Sequence, residues 1–322
     1  MGQPTYRTFL GIAKESIYGT GVAATDFIPV KSFQPKDKLM FETDEAWRGS
    51  AVKSYGHVPG AIYAEHDFGG PVFADTIGYV LAGVLGDVAT TGASAPYTTT
   101  FALLNSGSTQ PPSYTIAEAT AINALQFPGV KFSEVGFKFD GGSQFEYTAK
   151  GSSLTSSILG VAPVASFSAV QLQAGWQGIV TIGGTAVSAV ASGEVNIKRP
   201  VEVVHTADGT QAPYMLWSGE CTVDGKLVLV MEADTYRALY VSGASTSIDV
   251  NFAQGAGTTA TQVKLHCSKA TLTDASHNFG KSYIELDCTF EGDANVTDVG
   301  ASAGYSPIMA TVQNAKVSGT YK

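Results

Sequence analysis

The chain has 322 residues, of which 15% are charged and 44% hydrophobic, with 36 glycines and a formal net charge of −9. That length suggests two domains of ordinary size. The hydrophobic share excludes a disordered chain, which could not bury enough apolar surface. The acidic balance and scattered basic residues, with Lys198-Arg199 the densest pair, argue against a protein that grips nucleic acid by its phosphates.

Met1 to Leu10 has no apolar core behind a basic start, so no secretory signal is expected. Residues 1–25 read as a glycine-rich arm turning at Gly19-Thr20-Gly21. Phe27 to Phe33 predicts a short strand ending before Pro35. The charged stretch Lys36 to His57 predicts a long loop with one large aromatic, Trp47. Ile62, Ala64, His66 and Phe68 then alternate with Tyr63, Glu65 and Asp67, the period of a strand. Gly69-Gly70-Pro71 predicts a break, with Pro71 opening a helix. Phe73, Ile77, Val80, Leu81, Val84 and Leu85 recur at helical spacing up to Gly86. This apolar run is too short to span a bilayer.

Residues 87–113 read as a low-charge insertion. Val135, Phe137 and Phe139 alternate, Asp140-Gly141-Gly142 turns the chain, and Phe145, Tyr147 and Ala149 alternate on the return. Residues 151–165 read as a linker, after which the order of elements starts again. Gly178 to Val187 is strand-like, and Lys198 to Met215 is a second long polar loop with an Asp208-Gly209 turn. Glu220 to Met231 predicts a hairpin turning at Asp224-Gly225. Glu232 to Tyr240 is a short helix candidate, with Tyr236, Leu239 and Tyr240 on one face. Val263 to Leu272 and Tyr283 to Phe290 predict strands, with Ile284, Leu286, Cys288 and Phe290 on one face of the latter.

The expected fold is therefore mainly β: two tandem β-sandwich or open-barrel domains, each with one packed α-helix. The boundaries fall at an arm over 1–25, a first domain over 26–155 with an insertion near 87–113, and a second domain over 165–322. Cys221, Cys267 and Cys288 have no metal-like spacing and read as free thiols in a reducing compartment. A Cys267–Cys288 bridge is the alternative.

Four segments stand out by their order and spacing: Lys14-Glu15-Ser16-Ile17-Tyr18-Gly19-Thr20, Phe27-Ile28-Pro29-Val30, Glu45-Ala46-Trp47-Arg48-Gly49-Ser50, and Gly78-Tyr79-Val80-Leu81 through Leu85-Gly86. They resemble, in turn, the opening, the first strand, the segment that follows and the helix of the phage tail tube family. The resemblance implies rings that stack into a tube below the virus head, through which the genome passes. It also implies a virion-tail location after synthesis in the host cytoplasm, and as partners further copies of the chain, other tail proteins and passing duplex DNA bound without sequence specificity. No membrane and no cofactor are implied. Members with a single fold form hexamers, so a tandem chain implies a trimer with pseudo-sixfold symmetry. About four strands per fold gives about 24 in the ring, a circumference of roughly 150 Å and a backbone diameter of about 48 Å. That width admits duplex DNA.

The resemblance casts the two long loops as ring-to-ring contacts. The candidates there are Glu42, Asp44, Glu45, Trp47 and Arg48 in the first, and Lys198, Arg199, His205 and Asp208 in the second. Trp47 is the natural anchor, since buried aromatics dominate interface energetics. The faces bearing Glu65 and Asp67, and Glu285, Asp287 and Glu291, are candidates for the lumen, where like charge keeps DNA from sticking. The same composition also suits an ordinary solvated strand face.

Catalytic patterns are weak, and the chain does not read as an enzyme. Gly19-Thr20-Gly21-Val22-Ala23-Ala24 fits a glycine-rich nucleotide loop without the strand and long helix that the loop requires. His57, Glu65, His66 and Asp67 do not have the spacing of a metal site, and His66 on the apolar face reads as a core histidine. His205, His266 and His277 lie far apart, and no serine sits in a nucleophile elbow. A two-domain β-sandwich adhesin, or a terminator or distal ring on the same fold, remains an alternative.

Overall fold

A computed structural model of the chain describes residues 5–120 and 122–321. The first part of the expected arm, Met1 to Pro4, lies outside the described residues. The chain then runs β1 (Phe9–Lys14), β2 (Asp26–Ile28), β3 (Ser32–Asp44), β4 (Gly56–Pro71), α1 (Ile77–Leu85), β5 (Gly86–Thr91), β6 (Tyr97–Leu103), β7 (Tyr114–Ala119), β8 (Ala124–Asp140), β9 (Glu146–Ser153) and β10 (Ser157–Leu159). It continues through β11 (Gly178–Ile182), β12 (Thr185–Val187), β13 (Val190–Lys198), β14 (Val201–Val204), β15 (Met215–Ser218), β16 (Thr222–Val230), α2 (Thr235–Ser242), β17 (Ser245–Gln254), β18 (Thr261–Asn278), β19 (Glu285–Gly292) and β20 (Met309–Asn314). The fold is mainly β, as expected, with two short helices and large antiparallel sheets.

One unbroken series of antiparallel neighbours runs β3–β4–β9–β8–β13–β16–β19–β18. The N-terminal part of β8 leaves this series to join a second sheet, β2–β1–β7–β8–β10. The N-terminal part of β18 does the same in β12–β11–β17–β18–β20. The apolar core lies between, with Phe68, Phe132, Phe137, Phe145, Phe252 and Phe290 fully buried. Burying each such side chain stabilises the fold by about 1.5–3 kcal/mol.

The pairing pattern of the first half recurs in the second. A β-bulge between Phe132 and Glu134 in the β8–β9 pair returns between Leu272 and Asp274 in the β18–β19 pair. Another, between Tyr114 and Ile116 in β7–β8, returns between Thr246 and Ile248 in β17–β18. Aligned on these registers, the Lys38–Glu65 ion pair of β3 and β4 falls on the Lys198–Asp224 ion pair of β13 and β16.

Several local expectations change. Lys36 to His57 is mostly strand, because β3 and β4 form one long hairpin with only 45–55 outside it. Most of the hairpin's outer part is exposed on both faces, so no hydrophobic alternation marked it. Gly69-Gly70-Pro71 does not break β4, and the helix starts later, at Ile77. A Cβ on Gly69 would lie 2.6 Å from the Tyr147 carbonyl oxygen, so the glycine serves close strand approach rather than a turn. Asp224-Gly225 lies inside β16, between β13 and β19, where a Cβ on Gly225 would meet the Phe290 ring at 2.4 Å. The insertion near 87–113 contains the β5–β6 hairpin, whose outer strand pairs with β20 from the far end of the chain. The arm supplies β1, tied down by the buried Glu15 carboxylate, which accepts hydrogen bonds from Ser113 Oγ (2.7 Å), Thr115 Oγ1 (2.8 Å) and the amides of Gly19 (2.9 Å) and Gly129 (2.7 Å). The linker region carries the end of β9 and β10, and the second loop contains the β14–β15 ribbon. All three cysteines are free.

Candidate assembly surfaces

The β3–β4 hairpin ends in a loop ordered from within. Asp44 accepts a hydrogen bond from the Ala46 amide (3.1 Å) and pairs with Arg48, whose guanidinium stands 4.6 Å from the centre of the Tyr55 ring. Lys53 reaches Glu45 at 3.5 Å, and Glu42 lies on the exposed end of β3. These contacts use the charges locally and leave Trp47 100% exposed at the tip. Met40, Phe41, Val52 and Val58 are also exposed nearby. Surface ion pairs of this kind add little stability. Their effect is to hold an apolar tip in one shape.

The second predicted loop packs against β4, just past the end of the first. The Ile62 amide of β4 donates to the Gln211 carbonyl (2.9 Å), and Gln211 Nε2 donates to the Gly60 carbonyl (2.8 Å). His205 faces Tyr63 at 6.5 Å between ring centres. Asp208 shapes the loop by accepting from the Thr210 amide (3.0 Å) and hydroxyl (2.8 Å). The structure thus sets the second loop against β4 at Pro59 to Tyr63, just past the first loop in sequence.

Lys198 and Arg199 lie elsewhere. Lys198 pairs with Asp224 at 2.6 Å on a sheet face. Arg199 is only 2% exposed, and its guanidinium donates to the carbonyls of Gly219 (3.0 Å), Val84 (3.0 Å) and Thr109. It closes the C-terminal end of α1, where carbonyls lack helical partners, and offers nothing to another molecule.

Glu65, Asp67, Asp287 and Glu291 fall on one polar face of the long strand series, but that face is not of one sign. A cross-strand row reads Asp67, Lys150, Glu134, Lys198, and another reads Glu146, Lys138, Glu194, Lys226. Ion pairs Lys150–Glu134 (3.0 Å) and Lys226–Asp287 (2.7 Å) knit it further. Glu285 is 4% exposed and paired with Lys281 at 2.7 Å, so it is not part of the open face. Sequence alternation identifies which residues share a face, but not which strand lies alongside, so the interleaved lysines went unread.

The sequence also left unread the two ends of the strand series. Among the described residues, β3 pairs only with β4, and the stretch of β18 beyond Leu272 pairs only with β19. Each leaves a row of backbone donors and acceptors open on its outer side, a template for another strand. Among the described residues, no cluster of three or more His, Cys, Asp or Glu is placed to hold a metal, and no helix is long and apolar enough to cross a membrane.

No curated protein matches the chain. The family model for the phage tail tube protein matches residues 5–320, so almost the whole length, including the half without a readable signature, carries the family's pattern. The chain therefore belongs to the phage tail tube protein family, a structural component of the virion tail.

Proposed function

We propose that this chain is the repeating, non-enzymatic subunit of the tube itself. Two tandem copies of one fold, divided in the linker that follows β10, give each chain a pseudo-twofold repeat. Three chains close into a ring with pseudo-sixfold symmetry. The rings stack through the β3–β4 hairpin and the adjoining 205–214 loop, and duplex DNA passes through the lumen during ejection.

The observation that carries this reading is the strand series β3–β4–β9–β8–β13–β16–β19–β18. It comprises two equivalent sets of four strands and ends in two unpaired edges. Contacts between two different edges are head-to-tail, and such contacts close into rings. A ring also removes the aggregation hazard that open edges create. The polar face of the series is the lumen candidate. Its alternating charges offer phosphate no continuous basic track, which suits a wall past which DNA slides. The exposed Trp47 is the anchor of the stacking contact.

Electron microscopy and native mass measurement of the purified protein test this. Rings with the mass of three chains, extending into tubes, are expected. Six chains per ring would retain the tube and overturn the trimer. Rings that never extend would favour a terminator or distal ring. Monomers at high concentration, even beside tail partners, would overturn the assembly.

A further inference from the structure

Within the long strand series, the two halves of the chain meet where β8 pairs with β13. The register there is Lys138 opposite Glu194, Phe137 opposite Val195, Gly136 opposite Asn196 and Glu134 opposite Lys198. The ladder continues at both ends, with the Arg199 amide donating to the Ser133 carbonyl (2.7 Å) and the Gly141 amide to the Ala191 carbonyl (3.1 Å). The repeated bulges and registers place β18 where β8 stands and β3 where β13 stands. Both β18 and β3 have open outer sides.

From this we infer that β18 of one subunit pairs antiparallel with β3 of the next in the register of the internal junction. Asn278 then lies opposite Gln34, His277 opposite Pro35, Ser276 opposite Lys36, and Asp274 opposite Lys38. This inference rests on the ring reading above and adds to it which strands meet and residue by residue how.

Two observations support the register. Asp274 meets Lys38 as Glu134 meets Lys198, so the charges are opposite at equivalent positions. Pairing β3 with a second β3 would instead bring its Lys36 and Lys38 against like residues, and like charges directly opposite are unfavourable. Phe279 is 71% exposed, whereas its counterpart Phe139 is 5% exposed. Phe139 is covered in the internal junction by Gly193 and by Phe252, whose ring centre lies 5.4 Å away. In the inferred register Phe279 meets Phe33, which already packs edge-on against Phe68. The ring therefore covers the exposed phenylalanine. Pro35 takes the place of Val195 and lacks the amide hydrogen that the internal ladder uses there, so the junction between subunits has one backbone hydrogen bond fewer than the internal one.

Cysteine pairs test the register. Gln34→Cys is combined in turn with Asn278→Cys, Ser276→Cys and Asp274→Cys, all at exposed positions. After mild oxidation, non-reducing gels and mass spectrometry of linked peptides are read. Burial pushes the native thiols of Cys221 and Cys288 up to about 11, so they stay protonated and contribute little background. The 34–278 pair is expected to link subunits at least about tenfold more than the 34–274 pair, because four residues of offset carries the Cα atoms beyond disulfide reach. Preferential linkage at 276 or 274, or no linkage in samples that form rings when reduced, overturns the register and leaves the ring standing. Neither rings nor linkage would overturn both.

Discussion

His66 shows how a single side chain ties the sheet to its core. It is buried on the inward face of β4, its Nε2 lies 2.8 Å from Ser153 Oγ, and its ring meets the Phe127 ring edge-on at 4.9 Å. Ser153 Oγ donates to the Leu154 carbonyl (2.8 Å), so it accepts from His66, which places the proton on Nε2 and leaves Nδ1 bare. Burial therefore holds the imidazole pKa down at about 4, against an ordinary value of 6.5. The unfolded chain binds the proton first. The stability this residue contributes is complete above pH 6.5 and is lost as pH falls through 4, a loss of up to about 3 kcal/mol. His266 tilts the other way. Its hydrogen bond to Asp249 raises its pKa, so its contribution is present in acid and is lost as pH rises. Urea unfolding of dilute protein at pH 7 and pH 4.5 should show a steep acid loss in the native chain and a flatter one in His66→Phe. Equal slopes would refute the burial account.

At the scale of elements, the β3–β4 hairpin separates folding from assembly. Its inner half is paired on β9 and packs into the core, while its outer half buries almost nothing. Trp47→Ala should therefore leave unfolding free energy within about 0.5 kcal/mol of the native value. The same substitution should weaken ring stacking at least about tenfold, as loss of a central aromatic anchor does. Sedimentation and microscopy would then record rings without long tubes, and unchanged tube length would discount Trp47 as the anchor. What the sequence revealed about elements follows burial. Val135, Phe137 and Phe139, and Phe145, Tyr147 and Ala149, alternate because one side of each strand faces the core, and all are buried. The apolar run of α1 was legible because all nine of its residues are buried. Glycine misled at Gly69-Gly70 and Gly225, where it admits a neighbouring backbone or ring rather than turning the chain. The outer hairpin was hidden because strands exposed on both faces carry no period. The pairing of β6 with β20 was hidden because a period says nothing of a distant partner. Among the candidate contact residues, Trp47 and the charges around it could be found in the sequence. The burial of Arg199 could not, since its partners are backbone carbonyls.

At the scale of the whole molecule, the tandem repeat makes the ring's junctions unequal. Inside the chain, β8 and β13 join through Phe137, Phe139, Val195 and Ile197, all buried, and the junction is covalently tethered. Between chains, the equivalent positions hold His277, Phe279, Pro35 and Asp37, a less apolar set. The internal junction therefore resists opening as part of the folded core, while the one between subunits depends on concentration. Binding between folded subunits stabilises them by mass action, so only the weaker junction should shift with dilution. Rings titrated with denaturant should first fall to folded monomers at a midpoint that rises with protein concentration. Global unfolding should follow at a midpoint that does not. Light scattering would follow the first step and loss of β-sheet circular dichroism the second. A single transition in which scattering and circular dichroism change together, and which moves as a whole with concentration, would mean that the monomer does not hold its own fold, and that both junctions form only as the ring closes.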